Sequence, residues 1–472
     1  MRRLAPVLTI AFPIALATTV AHADLVISTD PTQNLNCSGG VCTATAKKAV
    51  LNAGELGAML VSGDTTVKTG AGAINILVKA AFGWTTPNQL TLIANHLVEI
   101  ERPVTVGGTG AVKIRHGRVL GEDLRFLRDG RIDFSIRAGR RGINGDSDKL
   151  VSDVATLADQ VAANPSGNFA LANDYNAGKD GAYSSAPVVT EFDGKFEGLG
   201  HVIRNLAINV STDTTPYIGL FSRLHPDGEL RDIGLENIRI TVPSGGYLTG
   251  ALVGETGDEQ SGGGSIVNAF STGTIAVIDG SYAGGLVGFN EALTSIVNSH
   301  SDCTVNADTG SAGGLAGYNQ GVISGSYATG EVRGGTAGGL VGFAYGYDGS
   351  RITNSYATGA VYGSNLAGGL VGNDHNAAVA TKSYSTGGIG GGQVGGFAGT
   401  VDGTGAFNRD YWDESTSGTN VGCGGGACYG VIGLTNRQLR SGLPHGLDPQ
   451  IWGQNSDFNN GYPYLLANPP PK

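Results

Sequence analysis

Carboxylates are the residues of this chain whose type and spacing come closest to catalytic chemistry. Asp193, Glu197, Asp232 and Glu236 form the densest acidic group outside the loops. A pair of carboxyl groups on neighbouring strands can serve as the acid and the base, or the acid and the nucleophile, that cleave a glycosidic bond. A polysaccharide lyase or hydrolase is therefore one hypothesis. We favour reading these acids as exposed residues of turns and strand edges, where charged side chains usually lie.

Other catalytic signatures are missing from the sequence. It contains no His-Glu-x-x-His zinc motif and no Gly-x-Ser-x-Gly elbow with a credible triad. His116 and His201 lack the acidic and basic neighbours expected of a pectin-cleaving enzyme. We therefore predict a protein without catalytic residues, metal site or cofactor.

The cysteines suggest oxidised pairs. Cys37 and Cys42 have the same spacing as Cys423 and Cys428, and one pair lies near each end of the chain. In an exported protein this pattern predicts two local disulfides. A zinc site is the alternative, but it would require the two pairs to converge. Cys303 is left as a lone thiol.

A five-residue phrase, for example Gly284-Gly-Leu-Val-Gly288, recurs through the middle of the chain and indicates how it folds. Its apolar anchor residue lies between glycines, and successive anchors are 34, 29, 25, 30 and 27 residues apart. Such periods are typical of solenoids. The anchors are Leu252, Leu286, Leu315, Leu340, Leu370 and Phe397.

Two further apolar positions follow each of the first five anchors. The second comes 8 to 14 residues after the anchor, and the third always lies 9 residues beyond the second. Residues that favour turns, mostly Gly, Ser, Thr, Asn and Asp, separate these positions. The pattern predicts an all-β, right-handed parallel β-helix with three short strands per coil. Residues equivalent to Ile352, Asn354 and Tyr356 should also stack from coil to coil, which predicts ladders of Ile, of Asn at a bend and of aromatic rings, with the tyrosines as packing residues.

The same repeats carry a family resemblance. The Gly-Leu-Val-Gly phrase and the sequence Asn354-Ser-Tyr-Ala-Thr-Gly359 are similar to the GLUG repeat of secreted bacterial proteins, many of them filamentous-haemagglutinin-like adhesins. Residues 87–106 and 192–206 resemble upstream and entry coils of such proteins. Residues 411–418 and 462–465 resemble their closing segment. The resemblance implies a β-helical scaffold and, as an expectation, a role in adhesion.

The sequence divides into five predicted parts. Arg2 and Arg3 precede an apolar run and a small-residue cleavage site, which predicts a signal peptide over 1–23. We then expect N-terminal β-helical coils over 24–151, a connector over 152–190, GLUG-type repeats over 191–400 and a closing segment over 401–472. One helix over 152–164, capped by Ser152, should pack on the rod.

Localisation and charge limit the partners. The signal peptide predicts a secreted protein, extracellular or on the bacterial cell surface, with the periplasm as the alternative, and no membrane span after cleavage. The formal net charge of −10 makes nucleic acid an unsuitable partner. A host or matrix glycan or protein fits better.

The irregular connections suggest where such a partner binds. The spacing from the second to the third apolar position is constant, whereas the connection after the first strand varies from 8 to 14 residues, so insertions should cluster on one edge of the rod. Exposed tyrosines, carboxylates and amides there could stack on sugars and bond their hydroxyls. We predict a non-catalytic binding surface, with a carbohydrate-active enzyme or a structural spacer as alternatives. The predicted binding residues are Asn290, Glu291, Asn319, Tyr345, Tyr347, Asp348, Asp374 and His375.

Overall fold

A computed structural model defines the fold of most of the chain. The predicted signal peptide lies almost wholly outside the described residues and stays a prediction. None of the helices in the described part has the length and apolar run that crossing a bilayer requires. The structure describes residues 23–70, 72–117, 123–135, 142–143, 148–210, 216–243, 247–257, 263–278, 282–346, 349–376, 378–403 and 406–471.

The N-terminal coils, within residues 24–143, form a parallel β-solenoid with three sheets. Its first sheet contains Leu124–Phe126, Val98–Ile100, Asn75–Val78, Asp24–Ser28 and Lys48–Asn52. Its second contains Ile132–Phe134, Val104–Val106 and Phe82–Trp84. Its third contains Gly142–Ile143, Ala111–Arg115, Gln89–Ile93, Thr65–Lys68, Val41–Ala44 and Leu35–Ser38. Within them, only the pair formed by the last two strands is antiparallel.

The repeats continue the solenoid with three further sheets whose strands pair in parallel. The first sheet contains Lys149–Val151, Asn168–Leu171, Lys195–Glu197, Glu229–Arg231, Ser265–Val267, Ser295–Val297, Val322–Ser324, Arg351–Thr353, Val379–Thr381 and Ala406–Asn408. The third sheet contains Phe221–Leu224, Val253–Thr256, Val287–Asn290, Ala316–Asn319, Val341–Tyr345, Val371–His375 and Ala398–Asp402. The predicted connector contributes Asn168–Leu171 to the first of these sheets.

The second sheet of the repeats is the longest. It runs around the corner between the other two, so most coils contribute two strands to it. Its strands are Tyr175–Asn176, Ala182–Tyr183, Val202–Arg204, Ala207–Asn209, Tyr217–Ile218, Gly234–Val242, Leu248–Gly250, Phe270–Val277, Tyr282–Gly284, His300–Asn306, Ser311–Gly313, Tyr327–Ala328, Val332–Gly338, Tyr356–Ala357, Val361–Gly368, Tyr384–Ser385, Ile389–Gly395, Asp410–Asp413 and Val431–Leu434.

The anchor residues form one buried column, as predicted. Leu286, Leu315, Leu340 and Leu370 are each 0% exposed. The backbone N–H of each donates to the carbonyl of the next anchor at 2.8–2.9 Å, so identical residues lie directly over one another. The glycines beside them are required by this close stacking: a Cβ on Gly339 would lie 2.1 Å from the carbonyl oxygen of the next coil. The predicted parallel β-helix with three faces is confirmed, but most coils of the repeats have four strands rather than three, because the second sheet takes two from each.

The bend that follows each strand in the first sheet of the repeats recurs as well. Asp232, Asn268, Asn298, Asn354 and Lys382 occupy the same place in different coils and have φ between 47° and 55°. This left-handed conformation is one that Asn and Asp tolerate better than most residues, because their short side chains bond locally. The predicted Asn ladder at a bend is therefore present, although other residues interrupt it.

Helices are few. The predicted helix spans Val154–Ala163, and its N-cap is Asp153 rather than Ser152, because the Asp153 carboxylate accepts the Thr156 N–H at 2.7 Å. A second long helix, Ala53–Ser62, was missed by the sequence analysis; Asn52 caps it. Glu414–Ser417 and Asn436–Leu439 are single turns, and Ala177–Lys179 and Asn459–Gly461 are 3₁₀ turns.

The cysteines pair as predicted. Cys37 is bonded to Cys42 and Cys423 to Cys428. Cys303 is a free, buried thiol. Burial raises its pKa to about 11, which makes it a poor nucleophile.

The last part of the chain folds back along the outside of the repeats. There it packs on a stack of side chains that we call the covered column, and the antiparallel strands Trp452–Gly453 and Tyr464–Leu465 belong to this cover. The tyrosine ladder is therefore a packing element, as predicted, but it lies in a separate apolar cluster from the anchor column. The covered column consists of His300, Tyr327, Tyr356, Tyr384 and Tyr411.

Candidate aromatic binding face

A second set of aromatic side chains lies on the third sheet of the repeats and its neighbouring corner. Phe289, Tyr318 and Phe343 pair with one another across successive strands. Each is half-buried, so part of every ring faces solvent. We call this set the aromatic face. It consists of Tyr282, Phe289, Tyr318, Phe343, Tyr345 and His375, all half-buried.

The rings of the aromatic face support one another. The Tyr318 ring lies 4.4 Å from Phe289 and 4.9 Å from Tyr282, in edge-to-face contacts, and it stacks on Phe343 at 5.0 Å. Tyr345 stacks on the His375 ring at 5.5 Å. Such contacts hold the rings in defined positions. The result is a rigid aromatic strip along the axis of the solenoid, because parallel strands place equivalent residues one above another.

Polar groups border this strip. Asn373 and Thr400 continue the column of Phe343 in the next two coils. Glu255 precedes Phe289 in the same column, but it is buried and accepts a hydrogen bond from the Arg223 guanidinium at 2.6 Å. Partial burial raises the pKa of Tyr318 to about 12, so its hydroxyl stays protonated and can donate a hydrogen bond. The His375 Nδ1 lies 2.9 Å from an Asp402 carboxylate oxygen. The face therefore combines flat apolar surfaces with hydrogen-bonding groups.

The predicted binding residues divide into three groups. Tyr345 and His375 lie on the aromatic face, next to each other. Tyr347 and Asp348 lie outside the described residues, so their part in binding stays a prediction. Asn290, Glu291, Asn319 and Asp374 are buried, with exposed fractions of 0%, 3%, 0% and 1%.

The expectation that the buried group lines an exposed loop is wrong. The strands of the third sheet continue two residues past the last glycine of the recurring five-residue phrase, so Asn290 and Asn319 are strand residues. The Asn290 amide donates to the Asn319 side-chain oxygen at 2.7 Å, and the Asn319 amide donates to the Ser350 hydroxyl at 2.8 Å. These bonds satisfy buried polar groups within the coil stack.

Asp374 belongs to the same column of strand residues as Asn290 and Asn319, and it lies one coil beyond Ala344 in that column. One of its carboxylate oxygens accepts the Ala378 N–H at 2.9 Å. The strand partners on either side are Ala344 and Val401, neither of which can pair with a charge. Burial therefore raises the pKa of Asp374 to about 7.

The four acids of the enzyme hypothesis are engaged in separate contacts. Glu197 and Asp232 are 4% and 3% exposed, so the expectation that they lie at the surface is wrong. Both contact the buried Arg231 guanidinium, at 3.3 and 2.8 Å, and Asp123 of the N-terminal coils contacts it at 3.1 Å. Burial has the largest influence on the pKa of both Glu197 and Asp232, and it raises both. This cluster joins the N-terminal coils to the repeats.

The other two acids have different partners. Glu236 accepts a hydrogen bond from the Arg204 guanidinium at 2.7 Å. Asp193 accepts one from the Ser166 hydroxyl at 2.9 Å. The four carboxylates are thus distributed over a buried cluster and two surface contacts.

Most of the aromatic face was missed by the sequence analysis. Tyr282, Phe289, Tyr318 and Phe343 were not among the predicted binding residues. A signal was available, because the residue three positions after each anchor is Glu255, Phe289, Tyr318, Phe343, Asn373 or Thr400. Three successive aromatic residues at one repeat position predict a ring column. That the column faces outward is visible only in the structure, where the adjacent residue is buried in each of these coils.

Comparison with known proteins supports the assignment of the repeats. Residues 308–333 and 334–362 match the GLUG motif. These GLUG repeats carry Tyr318, Phe343 and Tyr345, half of the aromatic face. A stretch of 123 residues is 32% identical to Halomucin from Haloquadratum walsbyi, and it covers 25% of this chain but only 1% of that protein. The resemblance to filamentous-haemagglutinin-like adhesins stays a prediction.

The solved structures that resemble this chain include the following two. One, from Bacteroides ovatus, is named as a candidate immunoglobulin A1 protease; it has a TM-score of 0.45 and 23% identity, over 68% of this chain and 93% of that one. The other is named IgA1 protease, with a TM-score of 0.43 and 19% identity, over 61% of this chain and 24% of that one.

Proposed function

We propose that this chain is an exported β-solenoid that binds a glycan or linear polysaccharide on its aromatic face, without cleaving it. The observation that carries this proposal is the strip of six half-exposed, mutually supported rings bordered by amide, hydroxyl and carboxylate groups. Sugar rings present C–H faces that pack on aromatic rings and hydroxyls that bond to polar neighbours. A strip that follows the solenoid axis suits an extended polymer.

The rigidity of the face favours binding. Aromatic side chains offer a large contact area at low conformational cost, because each has only two side-chain torsions to fix. Here, ring-to-ring contacts already restrict Tyr318 and Phe343 in the free protein. Association therefore loses less entropy than it would with mobile loop residues.

The test is a binding screen of residues 24–472 on a glycan array and on immobilised linear polysaccharides. The double variant Tyr318→Ala, Phe343→Ala removes the centre of the face and should weaken binding at least about tenfold, since each ring contributes about 1 kcal/mol. The matched control is Tyr362→Ala. Tyr362 is 49% exposed but lies on the second sheet, so its loss should leave binding unchanged.

Two outcomes would contradict the proposal. One is that no glycan or polysaccharide binds; the other is that the double variant binds as tightly as the wild type. The bound polysaccharide is also assayed for new reducing ends and unsaturated products over time. Their accumulation would favour the carbohydrate-active enzyme over a binding protein.

A further inference from the structure

A corner at the start of the repeats brings Asp193 and His225 together. The two residues occupy equivalent places in successive coils. The His225 N–H donates to the Phe192 carbonyl at 2.8 Å, and the Glu229 N–H donates to the Gly194 carbonyl at 2.9 Å. These backbone bonds fix one corner directly above the other. Asp227 follows in the same turn as His225.

The side chains at this corner present three donor atoms at close range. One ligand atom each from Asp193, His225 and Asp227 lie within 4.8 Å of one another. The His225 Nδ1 is 3.0 Å from an Asp193 carboxylate oxygen. The other oxygen of Asp193 accepts the Ser166 hydroxyl at 2.9 Å, which holds the carboxylate in place.

The closest pair of atoms lacks the geometry of a hydrogen bond. Both the His225 Nδ1 and the Asp193 Oδ1 are shielded from solvent, and neither has a hydrogen-bond partner among the described residues. Two lone-pair donors so close together are favourable when a cation lies between them. Two donor atoms that are each about 2.1 Å from an ion lie about 3.0 Å apart in octahedral and about 3.4 Å apart in tetrahedral coordination, so this pair is close enough to share one ion.

We propose that Asp193, His225 and Asp227 bind one divalent transition-metal ion, with water completing its coordination. An imidazole nitrogen suits ions such as Zn²⁺ better than Ca²⁺ or Mg²⁺, which prefer oxygen ligands. The two carboxylates balance the charge of the ion. Because the ligands come from two successive coils, the bound ion links these coils at the start of the repeats. The sequence analysis missed this site because its ligands become neighbours only when the coils stack.

The test uses residues 24–472 freed of metal by EDTA dialysis and titrated with Zn²⁺ in a calorimeter. We expect one Zn²⁺ per chain, a higher thermal unfolding midpoint with Zn²⁺, and affinity for Ca²⁺ at least about tenfold lower. His225→Gln should weaken Zn²⁺ binding at least about tenfold. Asp227→Asn should also weaken it. Since Asp227 is exposed, that variant decides the question if His225→Gln misfolds.

His375→Gln is the matched control. His375 lies as close to a carboxylate, at 2.9 Å, but belongs to no three-ligand group in the described part of the chain. Its loss should leave Zn²⁺ binding unchanged. The proposal is overturned if the wild type takes up no stoichiometric Zn²⁺, if both corner variants bind it normally, if His375→Gln abolishes it, or if Ca²⁺ binds more tightly than Zn²⁺.

Discussion

The covered column and the aromatic face are two stacks of rings on the outside of the same coils, and they differ in what lies over them. In the covered column, Tyr327, Tyr356 and Tyr384 are at most 1% exposed. On the aromatic face, Tyr318 and Phe343 are half-exposed. The repeat generates both stacks in the same way, by placing similar residues one above another. Only one of them is buried by the rest of the chain.

The cover consists of residues from the C-terminal segment. Trp452, Leu439 and Leu465 are buried against the tyrosines. The Asn459 amide donates to the Tyr384 hydroxyl at 2.6 Å, and the Asn468 amide donates to the Ser299 carbonyl at 3.2 Å. An exposed strip of stacked rings is an apolar patch, and such patches mark interaction sites. The comparison shows that this protein buries one patch internally and leaves the other half-exposed, as the proposed binding role requires.

The largest effect should come from opening the covered column. Trp452 is 1% exposed, its ring lies 6.1 and 5.8 Å from those of Tyr356 and Tyr384, and its Nε1 donates to the Asn354 side chain at 3.3 Å. Trp452→Ala should lower the free energy of unfolding by about 3–5 kcal/mol, because it leaves a cavity over the rings. Urea denaturation measures this loss, and hydrogen exchange shows whether the tyrosine strands lose protection.

Tyr429→Ala is the control for the same part of the chain. Tyr429 is 80% exposed, so its removal should change stability by no more than about 0.5 kcal/mol. If Trp452→Ala were equally mild, the C-terminal segment would not be a stabilising cover, and the distinction between the two stacks would fail.

A smaller effect should appear in the acid range, because the covered column contains a histidine. The His300 ring lies between Phe270 and Tyr327, at 5.2 and 4.6 Å, with its Nδ1 3.0 Å from the Asn468 side chain. Burial lowers the pKa of His300 to about 4. The unfolded chain therefore binds a proton that the folded chain does not, and stability should fall as pH drops from about 6.5 to about 4.

His300→Phe removes this proton-linked loss and should flatten the pH profile of stability by about 1–2 kcal/mol over that range. Unfolding midpoints in urea at pH 4, 5, 6 and 7 measure it. Tyr327→Phe is the control, since it alters the adjacent ring without removing a group that titrates in this window. An unchanged profile in His300→Phe would mean that solvent reaches His300 and that the cover ends before it.

The comparison also explains what the sequence could predict. The anchor column, the bend conformations and the tyrosine stack follow from residues that recur at fixed positions, because recurrence sets the register of parallel strands. The burial of Asn290 and Asn319 does not follow, because it depends on where the strand ends inside the coil. The cover of the tyrosines does not follow either, since Trp452 and Leu465 meet them through a non-repeated segment. The three-residue offset from each anchor was the overlooked signal for the aromatic face.

The smallest effect on stability should come from the aromatic face, and it tests the comparison most directly. Phe343→Ala removes a half-exposed ring that contacts Tyr318 and His375, at 5.0 and 6.0 Å. We expect a loss of about 1 kcal/mol, since the ring buries only part of its surface. Tyr356→Ala, at a fully buried ring, should cost about 3–5 kcal/mol.

Urea denaturation of the two variants side by side gives the result. A ring kept for binding contributes little to the free energy of folding, because part of its apolar surface is already in contact with water in the native state. A ring kept for packing contributes through the surface it removes from water. Equal losses in Phe343→Ala and Tyr356→Ala would therefore mean that the aromatic face is a second packing column, with its rings stabilising the coils rather than waiting for a ligand.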